Sequence, residues 1–356
     1  MPVSSPTWLS SVPIPTNVAT KFPTDQAIIP GPLAPSDFHI NKKTYPAANK
    51  VPSVDHPEVQ KVIGSIDWTK VSKSPIRKVV DWSLDLTGYD YLGDPDCWSS
   101  SSLCRYPKAL DLPEDVHECP NSGDWGLSYD DGPFRAWTTS PEDKAWESPR
   151  LYNFLATTGN QKATLFYVGH NVINFPVAAQ RALADGHTLC AHTWSHKQMT
   201  SLTNEEVVAE LYWTMKAIKE TTGVTTRCWR PPYGDVDDRV RSIAWQMGLR
   251  TIVWDRDSND WDLNGVPGGG HLSKLEVGKI FEKWISRMAN RQDRDTGHVS
   301  LEHENNREAL AVAEEWLPRL QNQFNVVPIH ECIGDPNPYW EANWKFPWPA
   351  GKFNGS

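Results

Sequence analysis

From residue 119 onward, the hydrophobic positions fall into a repeating alternation. Short apolar runs at 125–129, 163–168, 188–192, 227–230, 250–254, 298–302 and 325–330 have the length and composition of buried strands. Between them lie longer stretches that read as helices. One opens with a capping box, Thr203 with Glu206, and stops near Gly223. Ser273 with Glu276 opens another. Strand–helix alternation of this kind implies an α/β fold with a parallel sheet. Pattern alone leaves two architectures open, a barrel and an open doubly wound sheet.

The flanks break the alternation. Residues 1–60 carry many prolines, including Pro13-Ile14-Pro15, Pro30-Gly31-Pro32 and Pro52, and read as an extended segment that wraps the surface. Residues 61–118 hold Ile66-Asp67-Trp68 and Trp82-Ser83-Leu84-Asp85-Leu86 among polar loops. We expect them to pack on the main domain through Trp and Leu. The expected division is therefore an irregular Pro/Trp-rich extension over 1–118, a catalytic domain over 119–332, and a C-terminal extension over 333–356 that packs back on the domain. No internal repeat is present.

Five polar motifs follow the expected strands. They are Asp130-Asp131-Gly132-Pro133, His192-Thr193-Trp194-Ser195-His196, Arg230-Pro231-Pro232-Tyr233-Gly234, Asp257-Ser258-Asn259-Asp260-Trp261 and Leu301-Glu302-His303-Glu304. Each alone has a bland reading: a solvated Asp-Gly turn, or a chance histidine pair. Together they stand at the C-terminal ends of five strands, the rim where parallel sheets and barrels place active sites. A carboxylate with two imidazoles is a recurrent catalytic zinc set that leaves a coordination position open. A second carboxylate beside it can act as general base.

The order and content of these motifs resemble the polysaccharide deacetylase family, the NodB homology domain of carbohydrate esterase family four, over roughly residues 119–332. Within that family the chain is most similar to the fungal chitin deacetylases. The resemblance implies a distorted, incomplete (β/α) barrel of about seven parallel strands. It implies that Asp131, His192 and His196 hold a divalent metal, zinc or another ion such as cobalt. Asp130 would be the general base, Arg230 would hold Asp130 in place, and His303 would be the general acid braced by Asp260. The backbone N–H of Tyr233 would help stabilise the oxyanion. Trp261 and Leu301 would bound the acetyl methyl group.

Two departures from the family pattern stand out. Ser128-Tyr129 precedes the Asp pair where Thr-Phe is usual, a swap that keeps size and β-propensity. Glu304 stands where Asp is usual. Its extra methylene would carry the carboxylate into the substrate site or cleft wall, or leave it solvated at the cleft edge. The implied activity is that of a metal-dependent amidase removing N-acetyl groups from chitin, or partly deacetylated chitin, to give chitosan and acetate. The same motifs would also serve an acetylxylan esterase or a peptidoglycan deacetylase. Degenerate members that only bind carbohydrate lack ligands or the base. Asp130, Asp131, His192, His196 and His303 are all present here. Chain-length preference would depend on the loops at 134–147 and 255–272.

Composition narrows the setting. The net charge of −9 argues against a nucleic-acid partner. Eighteen Trp residues supply both core and candidate sugar-stacking surfaces. No stretch is apolar enough to span a membrane, and the opening residues lack a secretory leader pattern. Six cysteines form an even set. Cys97 and Cys104 suit a local bridge, and Cys119 and Cys332 flank the domain where the family makes a similar link. Cys190 and Cys228 each lie two residues before a site residue, so they face the same interior side. They are either bonded to each other or buried as small hydrophobes. We expect a secreted monomer of the cell wall or surface, with a sequon at Asn354 and room for a lipid-anchored tail beyond it.

Overall fold

A computed structural model describes residues 5–23, 28–34, 36–109, 111–133, 148–265 and 269–346. The 134–147 loop and the Asn354 sequon lie outside the described residues. All seven expected strands form. After a short antiparallel hairpin, β1 (Val79–Val80) with β2 (Ser83–Leu84), the main sheet comprises β3 (Asp124–Gly132), β4 (Thr164–Tyr167), β5 (Thr188–Ala191), β6 (Cys228–Trp229), β7 (Arg250–Thr251), β8 (Arg256–Asp257), β9 (His298–Leu301) and β10 (Asn325–Pro328). Every pairing among these eight is parallel. β8 was not expected: it is two charged residues long, with no apolar period to reveal it.

The strand order resolves the choice left open by the sequence. It runs β7-β6-β5-β4-β3-β9-β8, with β10 also paired to β3. The two outermost strands, β7 and β8, are nearly consecutive in the chain. Laid flat, they would stand about 29 Å apart, six intervals of about 4.8 Å. The five residue steps from Thr251 to Arg256 reach at most about 18 Å. The sheet must therefore curl until its edges approach, which makes an incomplete barrel. Val116 bridges in parallel to Ile252 at the β7 end.

Period-two alternation sorts the strand side chains into two cores. Leu165, Tyr167 and Leu189 join the layer beneath the helices, with Val207, Leu211 and Met215 of the helix Asn204–Thr222. Phe166, Cys190, Cys228, Ile252, Val299 and Val327 fill the barrel interior. The two expected capping boxes are both formed, at Thr203 with Glu206 and at Ser273 with Glu276. Disulfides join Cys97 to Cys104, Cys119 to Cys332, and Cys190 to Cys228. No helix among the described residues is long and apolar enough to cross a membrane.

The N-terminal segment wraps the barrel, with Leu9, Val12, Phe22, Tyr45, Val59 and Val62 buried in the main core. Tyr45 stacks on Trp194 at 5.6 Å, beside the histidine loop. Phe22 packs against Tyr339 and Trp344, so the N-terminal segment meets the residues that follow the barrel. One expectation fails here. Trp82 does not pack on the domain but stands 88% exposed at the tip of the β1–β2 hairpin. Trp98 does the packing instead: it is fully buried, and its indole N–H donates to Asp235 at 2.9 Å.

Candidate active site

The site begins with a break in β3. Ser128 and Asp130 face the barrel interior, and strict alternation would send Asp131 to the opposite side. A bulge shifts the β3–β4 register between Asp130 and Gly132, and Asp131 takes a left-handed φ of 73°. Bulges of this kind re-aim a side chain. Both carboxylates consequently approach His192: its Nε2 lies 3.4 Å from Asp131 Oδ1 and 3.8 Å from Asp130 Oδ2. Gly132 leaves room for its neighbours: a Cβ there would fall 1.8 Å from Glu304 Oε1 and 2.7 Å from the Tyr167 ring, so both side chains would have to shift.

The histidine loop leaves β5 at Ala191. Thr193 and His196 both adopt left-handed backbone, with φ of 62° and 55°. That turn brings His196 Nε2 to 3.2 Å from Asp131 Oδ1. His192 Nδ1 lies 2.8 Å from Arg230 O, so Nδ1 carries the proton and Nε2 presents its lone pair.

Glu210, which the sequence did not single out, holds this loop from below. Its carboxylate accepts from Trp194 N–H and Ser195 N–H, each at 2.8 Å, and from the Ser195 hydroxyl at 2.5 Å. Burial pushes its pKa up to about 7, against the pull of these bonds. Its only sequence signal was a carboxylate on the inner face of an amphipathic helix. We expect Glu210→Ala to weaken metal affinity about 10- to 100-fold, as loss of an outer partner does. A competition titration against a chelator checks this. Unchanged affinity would mean the strand alone sets the loop.

The three side chains suit a divalent cation. One ligand atom from each of Asp131, His192 and His196 lies within 4.8 Å of the others. Asp131 Oδ1 is buried and accepts no hydrogen bond among the described residues. Among the described residues Asp94, Cys97 and Cys104 form a second such cluster, but both sulfurs there are spent in a disulfide.

Arg230 and His303 complete the rim. Arg230 is fully buried and donates to Asp130 Oδ1 at 2.7 Å, to Ser128 Oγ at 2.9 Å and to Val253 O at 3.2 Å. The β8–β9 pairing sets Asp257 opposite Leu301 and so brings the Asp257–Trp261 loop beside His303. Asp260 accepts from His303 N–H at 2.8 Å and lies 2.7 Å from His303 Nδ1. Asp257 braces its own turn by accepting from Asn259 N–H at 2.8 Å. Burial alone would lower the His303 pKa, but the Asp260 charge and hydrogen bond outweigh it and raise the pKa to about 10. His303 also bridges to Asp130 along the backbone, with Asp130 N–H donating to Glu302 O and Glu304 N–H to Asp130 O.

Of the residues expected at the substrate, Tyr233 is 62% and Trp261 52% exposed, while Leu301 is buried. Tyr233 has φ 59°, and the turn's hydrogen bonds run from Gly234 N–H to Pro231 O and from Asp235 N–H to Pro232 O, leaving Tyr233 N–H outside them. Glu304 is a correction. Its side chain has no exposure, so it neither lines the substrate site nor sits solvated at the cleft edge. The longer side chain turns beneath Gly132, with Oε2 3.5 Å from the Tyr152 hydroxyl.

Comparisons with known proteins agree with this geometry. Residues 117–252 match the family model described as polysaccharide deacetylase. A chitin deacetylase of Amylomyces rouxii is 37% identical over 338 residues, covering 93% of this chain and 76% of that protein. Chitin deacetylase 2 of Cryptococcus neoformans var. grubii is 38% identical over 301 residues, covering 82% of this chain and 62% of its own length. The structure of a chitin deacetylase from Colletotrichum lindemuthianum shares the fold, with a TM-score of 0.54 at 21% identity over 65% of this chain and 96% of that one. With the motifs, the rim geometry and a 37% identical relative aligned over 93% of this chain, the chain belongs to the polysaccharide deacetylase family.

Proposed function

We propose that this protein hydrolyses the N-acetyl groups of chitin, releasing acetate and leaving free amines. The observation that carries the reading is the pairing of two opposed proton handlers at one rim. Asp130, held by the buried Arg230, and His303, held by Asp260, flank a three-ligand cluster in which Asp131 Oδ1 accepts no hydrogen bond among the described residues. The 37% identity to a chitin deacetylase over 93% of this chain supports chitin as the substrate.

A divalent cation on Asp131, His192 and His196, which we take to be zinc, would supply Lewis acidity, making a water easier to deprotonate and polarising a carbonyl. Asp130 takes a proton from the attacking water, whose oxygen bonds to the acetyl carbon. Tyr233 N–H donates to the oxygen on which negative charge develops. Arg230 keeps Asp130 aimed through its 2.7 Å bond. As the C–N bond breaks, His303 gives its proton to the departing nitrogen. Trp261 and Leu301 would bound the acetyl methyl. Three disulfides support the reading of an oxidising, extracellular setting.

Acetate release from N-acetylglucosamine oligomers by the purified protein tests the reading. Release from acetylated xylan but from no N-acetylglucosamine polymer would overturn it in favour of an O-acetyl esterase. The role of Asp260 has its own test. The acid must be protonated to act, so activity is lost as pH rises through its pKa. Asp260→Asn removes the charge that raises that pKa while burial still lowers it. The alkaline limb of the pH–rate profile should move by more than about one unit to lower pH. A limb that stays in place would remove His303 from the role of acid.

A further inference from the structure

The catalytic rim does not end at Tyr233. A cleft of about 480 Å³ continues from it, within the size range of ligand sites. On the catalytic side it is lined by Tyr233 and Asp257; on the far side, by Trp82, Leu84 and Leu86 of the hairpin segment and by Leu103 of the Cys97–Cys104 loop. Those far walls precede the family-matched residues, which start at 117.

The hairpin is tied to the metal-binding loop. Gln198 lies two residues after His196, and its side-chain N–H donates to Trp82 O at 2.9 Å. Arg77 N–H donates to Thr200 O at 2.8 Å, anchoring the start of the hairpin to the same turn. The tip is therefore registered to the catalytic residues.

Trp82 itself is placed against every local preference. Asp81 and Trp82 both take left-handed backbone, with φ of 47° and 69°, the geometry of a tight hairpin turn in which Asn-Gly is favoured. A tryptophan here is strained, and its ring is almost wholly exposed, so it contributes nothing to the core. Strain held at an exposed aromatic marks a residue kept for contact rather than for folding. An indole face beside apolar Leu walls suits the C–H face of a sugar ring.

We propose that the Trp82 hairpin and the Cys97–Cys104 loop form a sugar-binding subsite for units of the polysaccharide beyond the one at Asp130. This deepens the polysaccharide reading above and rests on it. The occupant is the substrate chain itself, because the cleft is continuous with the catalytic rim through Tyr233 and Asp257.

The test is Trp82→Gly, since glycine suits the backbone that tryptophan strains. The melting temperature should hold or rise. The ratio of kcat/KM for the N-acetylglucosamine hexamer to that for the dimer should fall roughly 10-fold. Trp82→Phe, which keeps a stacking ring, should restore most of that ratio. An unchanged ratio in Trp82→Gly overturns the proposal. Should the wild-type protein release no acetate from either oligomer, calorimetric titration with the hexamer decides. Binding that weakens in Trp82→Gly supports the subsite while the catalytic reading falls, and binding that is absent or indifferent to Trp82 overturns it.

Discussion

Asp130→Asn lowers acetate release by about 10²- to 10⁴-fold, the contribution of a positioned general base. Asparagine keeps the shape of the side chain and can still accept from Arg230, but it cannot take a proton from water. A competing effect must be separated. Arg230 and Asp130 are both almost fully buried, and removing one charge of such a pair leaves the other uncompensated, at about 3–5 kcal/mol. The Ser128 hydroxyl and Val253 carbonyl still bond the guanidinium, which should blunt that loss. Metal content and melting temperature of the variant distinguish the two effects. A folded, metal-loaded Asp130→Asn protein with near wild-type kcat would end the base assignment.

Removing the metal has an effect at least as large. Lewis acidity is worth several kcal/mol in the transition state, so chelation should cost ~10³-fold or more in rate, with zinc restoring it. His196→Ala should behave likewise and should not recover at ordinary zinc concentrations. The binding itself has a readout independent of catalysis. A ligand that binds only the folded state at 100 times its Kd stabilises by about 2.7 kcal/mol. Zinc should therefore raise the melting temperature of the wild-type protein but not of His196→Ala. Full activity after exhaustive chelation, with no metal by elemental analysis, would sink the cation reading of Asp131, His192 and His196.

The two ion pairs differ in what they hold. Arg230 is aimed at Asp130 from inside the barrel, fully buried. Asp260 grips both the backbone and the ring of His303, so that its carboxylate fixes a loop and a tautomer together. Fixing both is what a rim of separate loops requires, since Asp130, Arg230 and His303 arrive on different strands. Glu210 extends this logic one layer outward, satisfying two N–H groups that the His192–His196 turn would otherwise bury without partners.

Much of this protein was legible along the chain. Apolar runs and capping boxes are short-range signals, and they located seven strands and the two long helices that open at Thr203 and Ser273. The five polar motifs could be found because chemistry concentrates at strand ends, where loops are free to vary. Other features depended on distance. Curling of the sheet followed from β8, whose two charged residues have no periodicity, and from its position in the strand order. The aim of Asp131 followed from a bulge that alternation alone would have contradicted. Glu304 was misplaced because the extra methylene could be assigned a direction only once Gly132 and Tyr152 were seen around it. Trp82 was grouped with the Trp and Leu expected to pack the 61–118 extension on the domain, and nothing local announced a strained turn. Local sequence determined which residues could do chemistry. Long-range packing decided where their side chains point, because register, burial and close approach are set by neighbours far away in the chain.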